Sequence, residues 1–102
     1  MLDQLRAQQP VIAELCRRYA VARLEIFGSA VTGTFDTARS GLDFLVAFQP
    51  HPSLSRFEQY FGLWEELQAL FDRSVDLVMV DALRNPHFIR SVNASRRLLY
   101  AA

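Results

Sequence analysis

Two short apolar runs, each interrupted by a single aspartate, constrain this chain more than any other feature. Residues 42–48 (LDFLVAF) and 74–80 (SVDLVMV) are rich in β-branched and aromatic side chains and have the length of strands, with Asp43 and Asp76 as the only acids in them. An ionised carboxylate is costly in such a run unless water, a cation or an arginine lies beside it. Neighbouring strands lie about 4.8 Å apart, so two such carboxylates converge if they emerge at the same edge. That arrangement fits a magnesium ion, which takes hard oxygen ligands from one or two carboxylates and from substrate phosphates. The same residues also fit two strand-end acids, each solvated or paired with an arginine.

Helical and strand patterns alternate along the rest of the chain. Val11, Ile12, Leu15, Cys16 and Tyr19 recur at three- and four-residue intervals, and Pro10 suits a first turn. They predict a helix from Gln9 or Pro10 to about Tyr19, with residues 1–8 a preceding turn or helix. Residues 23–27 (RLEIF) alternate polar and apolar and run into Gly28 and Ser29, a strand ending at a glycine turn whose backbone N–H groups can face a phosphate. Pro50 and Pro52 break the chain after the first apolar run, and Ser55 with Glu58 forms a capping-box pattern. The helix it opens has Phe57, Tyr60, Phe61, Trp64, Leu67, Leu70 and Phe71 on one face and Glu58, Gln59, Glu65, Glu66 and Gln68 on the other. Asn85 and Pro86 open a last short helix to about Val92, and residues 97–100 (RLLY) read equally as a terminal strand or a helix end. The fold class is therefore α/β or α+β, with helices packed on one sheet of three to four strands that is parallel or mixed.

A length of 102 residues gives one domain, 1–102, and the hydrophobic fraction of 51% fills a core. Eleven basic residues balance eleven acidic ones, so bulk attraction to nucleic acid or to an anionic membrane is absent. Every basic residue is arginine, which excludes lysine chemistry such as a Schiff base. The pairs Arg17–Arg18 and Arg96–Arg97 read as solvated faces, and His51 and His87 as surface residues with no metal-ligand spacing around them. Cys16 has no partner for an internal disulfide, no secretory pattern opens the chain, and no apolar stretch approaches the roughly 20 residues of a membrane helix. A cytoplasmic protein is expected. An apolar fraction this high in a small domain also leaves open an exposed patch for a dimer or another homo-oligomer.

Taken in order, Leu24-Glu25-Ile26-Phe27-Gly28-Ser29, the polar stretch with Gly33, Ser40-Gly41-Leu42-Asp43, a helix, and Arg73-Ser74-Val75-Asp76-Leu77-Val78 resemble the minimal nucleotidyltransferases of the DNA polymerase β superfamily. The resemblance covers nearly the whole chain, including the tail from Leu83-Arg84-Asn85-Pro86 to Leu98-Leu99-Tyr100. It implies a small nucleotidyltransferase fold in which Gly28 and Ser29 hold a nucleoside triphosphate and Asp43 and Asp76 are catalytic and ligate magnesium. It also implies a HEPN-domain protein as partner, since many members are the antitoxin of such a pair. The pattern departs from the family at Gly41, where the first of two aspartates separated by one residue is expected. Alternate side chains of a strand share a face, so that aspartate would stand beside Asp43, and Gly41 supplies no oxygen. Ala30 and Thr32 also replace arginines that often follow the turn, and Asp36 is the one nearby acid in the loop that could substitute. The resemblance thus implies a nucleotidyltransferase-family protein whose catalysis is degenerate. Alternatives are an active magnesium-dependent enzyme moving a nucleoside monophosphate, such as AMP, to a protein or small-molecule hydroxyl, and a non-enzymatic dimerisation module.

Overall fold

The computed structural model describes residues 2–33 and 41–102. Helices α1 (Leu2–Ala7) and α2 (Gln9–Arg18) precede strand β1 (Val21–Phe27), and a short helix α3 (Ser29–Thr32) follows the glycine turn. Strand β2 (Leu42–Phe48), helix α4 (Arg56–Phe71), strand β3 (Val75–Met79), a 3-10 turn (Val80–Ala82), helix α5 (Pro86–Ser95) and strand β4 (Arg97–Ala101) complete the chain. The ambiguous tail is thus a strand, and the last helix runs three residues past Val92.

The architecture is α+β, with one mixed four-stranded sheet in the order β3-β2-β1-β4. β1 pairs antiparallel with both β2 and β4, while β2 and β3 run parallel. Strand alternation divides the sheet's side chains between two cores. Leu24, Ile26, Leu42, Phe44, Val46, Val75 and Leu77 pack with Ile12 and Leu15 of α2 and Leu63 and Leu67 of α4. On the opposite face Phe27 and Leu45 pack with Val92 of α5. α5 covers only part of that face, and the part it leaves carries Asp43 and Asp76.

The capping box at Ser55 is formed, with the Glu58 N–H donating to Ser55 Oγ and the Ser55 N–H to Glu58 Oε1. The buried stripe of α4 is rotated from the expected one, however. Gln59, Leu63 and Leu67 face inward, whereas Phe57 is 70% exposed and Phe61 41%. The reason is polar. The carbonyls of Tyr19 and Gln49 converge under α4 where β1 begins and β2 ends, and the Gln59 amide donates to both, at 2.8 and 2.9 Å. His51 likewise departs from a plain surface role. Its Nδ1 accepts the N–H groups of Ser53 and Leu54, and its Nε2 meets the Arg18 carbonyl at 3.1 Å, pinning the loop into α4.

Among the described residues Glu25, on β1, is the one buried charged side chain, at 1% exposure. Arg96, at the end of α5, grips it with two guanidinium nitrogens, and Arg23 adds a third contact. Arg96 is thus exposed, as expected, and is also the link that fixes α5 and β4 to β1. This pairing, led by the Arg96 hydrogen bonds, holds the Glu25 carboxyl below its ordinary value of 4.5. A carboxyl lowered in the folded state contributes stability that is full above that ordinary value and is lost as pH falls through the folded value. Arg96→Ala should cost about 2–4 kcal/mol at pH 7, with a deficit that shrinks as the pH is lowered and Glu25 protonates. Urea unfolding of both chains between pH 7 and pH 3 measures this.

Candidate functional site

β1 delivers the chain to Gly28, whose backbone (φ 79°, ψ −148°) lies in a region reserved for glycine. A second constraint acts at the same residue. A Cβ on Gly28 would sit 2.6 Å from Asp43 Oδ2, so the turn's main chain packs directly on that carboxylate. The Gly28 carbonyl accepts the N–H groups of Val31 and Thr32 at 3.0 and 3.1 Å, starting α3 immediately. Ser29 is half-buried at the head of α3, and Ala30 is buried behind it.

Asp43 and Asp76 are direct register partners across the parallel β2–β3 pair, and Phe27 is the partner of Asp43 on β1. The expected convergence of the two carboxylates is present. Burial pushes the Asp43 carboxyl up to about 6, and the charge of Asp76 and a hydrogen bond with it act in the same direction. Close carboxylates of this kind call for a cation. A divalent ion with oxygen ligands would offset the repulsion, so these residues fit magnesium by their chemistry.

Around the pair lies an open cleft of about 410 Å³, bounded by Gly28, Asp43, Asp76, Tyr60, Trp64 and Phe88 among others. Tyr60 and Trp64 do more than fill space. β3 is an edge strand, and the Tyr60 hydroxyl donates to the Leu77 carbonyl while Trp64 Nε1 donates to the Val75 carbonyl at 2.8 Å. With Gln68 accepting the Val75 N–H, one row of α4 residues holds β3 on both sides of Asp76 and covers backbone groups on that edge.

Gly41 stands next to this pair, opposite Ser74 in the continuing register. A Cβ there would lie 2.8 Å from Ser74 Oγ and 3.0 Å from the Ser74 carbonyl, which already accepts the Leu42 N–H at 3.0 Å. Among the described residues no group of three or more Asp, Glu, His or Cys side chains is placed to hold a metal. Asp36 lies outside the described residues. Sequence reasoning missed Ser95, which ends α5 and accepts the Gly28 N–H at 2.9 Å. Nothing local marks it, because the contact spans 67 residues.

Residues 10–99 match the family model described as a nucleotidyltransferase domain. The chain belongs to that family. A Methanocaldococcus jannaschii chain assigned as a protein adenylyltransferase is 33% identical over 90 residues, covering 88% of this chain and 85% of the relative. Among solved structures, one assigned as a minimal nucleotidyltransferase superposes with a TM-score of 0.74 at 29% identity, over 94% of this chain and 93% of that one. A Shewanella oneidensis complex of a tri-AMPylated HEPN toxin with its MNT antitoxin shares the fold, with a TM-score of 0.64 at 18% identity over 96% of this chain and 73% of that one.

The raised Asp43 carboxyl makes a signed prediction. Its ordinary value is 3.8 and its folded value about 6, so the folded state holds the proton longer and loses stability as pH rises between the two. Asp43→Asn should therefore raise stability above pH 6 by about 1–2 kcal/mol, allowing for solvent screening in an open cleft, and the gain should vanish toward pH 4. Thermal unfolding in metal-free buffer across that range checks it.

Proposed function

We propose that this nucleotidyltransferase-family protein binds a nucleoside triphosphate with one magnesium ion, is catalytically degenerate, and works as the antitoxin-like partner of a HEPN-type helical protein. The observation that carries the reading is the row across β2 and β3. Asp43 and Asp76 oppose each other, and the next pair in the row is Gly41 and Ser74, with no third carboxylate beside them among the described residues. In this reading Asp43 and Asp76 hold the ion, while the Gly28–Ser29 turn faces the triphosphate with the Ser29 N–H and hydroxyl, the Gly28 N–H being held by Ser95. Magnesium, when bound, neutralises phosphate charge and polarises the phosphoryl group under attack. Two-metal chemistry needs carboxylates that hold ions about 3.5–4 Å apart, and two acids support one ion better than two. Loss of the third acid therefore weakens transfer more than binding.

The partner reading draws support from relatives and from surface chemistry. The Shewanella oneidensis neighbour is an MNT antitoxin bound to a HEPN toxin, and a further neighbour of 23% identity is a toxin–antitoxin structure with AMP-PNP. On α4, the exposed Phe57 and Phe61 rings lie 4.6 Å apart and line an apolar groove of about 350 Å³ with Tyr60, whose other side borders the cleft. A second reading is favoured by the Methanocaldococcus jannaschii relative. There the protein still transfers a nucleoside monophosphate, such as AMP, to a protein hydroxyl, with Asp43 and Asp76 on a single magnesium.

Calorimetry with ATP should show binding that requires magnesium and is lost in Asp76→Asn. Labelled nucleoside triphosphates with a HEPN-type acceptor should show no transfer above background. Robust transfer that disappears in Asp43→Asn contradicts degeneracy and establishes the second reading. Restoring the acid needs a paired change, because the Cβ of Gly41→Asp alone meets Ser74. Gly41→Asp should cost about 1–3 kcal/mol by overpacking, and Gly41→Asp with Ser74→Gly, which removes the hydroxyl contact and leaves the main-chain carbonyl at 3.0 Å, should recover part of that loss and gain transfer at least about tenfold. A double variant as inactive as the parent would show that residue 41 is not what limits the chemistry.

A further inference from the structure

We infer that Ser95 is a positioning residue for the cleft: by holding the Gly28 N–H it fixes the glycine turn and, through the turn, the Asp43 carboxylate. The inference rests on the reading of this cleft as the nucleotide and metal site. Ser95 is buried, and its Oγ lies 2.9 Å from the Gly28 nitrogen and 3.5 Å from the Ser91 carbonyl, to which its own hydroxyl donates. Glycine has the widest backbone freedom of any residue, and Gly28 sits where the antiparallel pairing of β1 has ended. Left to itself, such a residue would sample several turn geometries. A hydrogen bond to a rigid helix selects one.

α5 has the rigidity this requires. Its first turn is capped by the Asn85 side chain, which accepts the N–H groups of His87 and Phe88. Val92 is fully buried against Phe27 and Leu45, and Arg96 is locked onto Glu25. Ser95 lies between the last two anchors. From there the selected geometry passes in two directions. The Gly28 carbonyl accepts two N–H groups of α3, so the orientation of its peptide sets the direction in which α3 begins. Its Cα lies against Asp43 Oδ2, at a spacing that leaves no room for a methyl group, so a turn that moved would press on the carboxylate or release it. Ser95 need not touch nucleotide or metal to govern both.

The test compares Ser95→Ala, which removes the acceptor, with Ser95→Thr, which keeps the hydroxyl. Two readouts are followed: hydrogen exchange of the Gly28 amide by NMR, and affinity for Mn²⁺ with AMP-PNP by calorimetry. Ser95→Ala is expected to fold, to lose Gly28 amide protection about tenfold and to bind Mn²⁺–AMP-PNP about tenfold more weakly, the scale of one hydrogen bond. Ser95→Thr should stay within about threefold of the parent in both. Unchanged protection and affinity in Ser95→Ala would overturn the inference, as would equal loss in Ser95→Thr. A parent chain that binds no Mn²⁺–AMP-PNP would overturn the nucleotide reading instead, and the Gly28 amide alone would then decide whether Ser95 holds the turn.

Discussion

The opposition of Asp43 and Asp76 sets the terms for the rest of the molecule. Two like charges are unfavourable neighbours, yet the parallel pairing of β2 and β3 puts them in register, and burial adds to the cost at Asp43. Much of the surrounding structure keeps them there. Leu42, Phe44, Val75 and Leu77 anchor both strands in the main core, and Tyr60, Trp64 and Gln68 grip the outer edge of β3. Gly28 closes the third side, its bare Cα against the Asp43 carboxylate. An electrostatically unfavourable pair in an open cleft marks a candidate functional site, and a divalent cation with oxygen ligands would offset the repulsion.

The opposite face of the sheet explains why the cleft is where it is. α5 covers Phe27 and Leu45 but stops short of the two aspartates, and its end is tied to β1 through Glu25 and to the glycine turn through Ser95. One helix thus bounds the cleft and holds the glycine turn beside it. The glycine at position 41 is a local feature within this frame. Ser74 approaches Gly41 closely enough that a side chain at 41 has no ready space. In the proposed reading such a site would seat one ion, which would separate binding from chemistry without disturbing the fold.

Features governed by local physics were legible in the sequence. The apolar run of β2 begins and ends where its composition says it should, the Ser55–Glu58 capping box opens α4, and Asn85 with Pro86 opens α5. The two aspartates stood out because nothing else in those strands is polar. What escaped are polar residues recruited by distant parts of the chain. Gln59 looked like part of a solvated face, but it serves two carbonyls at the ends of β1 and β2. Arg96 looked solvated, but it answers a carboxylate 71 residues away. Ser95 carries no motif, since its partner is a backbone N–H. Periodicity locates apolar faces well, and it is blind to hydrogen bonds that only tertiary packing creates.

In the proposed function the cleft binds nucleotide through one cation held by two carboxylates. Counting Mn²⁺ equivalents by electron paramagnetic resonance, in the presence of saturating AMP-PNP, tests it most directly. One equivalent per chain, abolished by Asp76→Asn, is the predicted result. Two equivalents, or none, would contradict it.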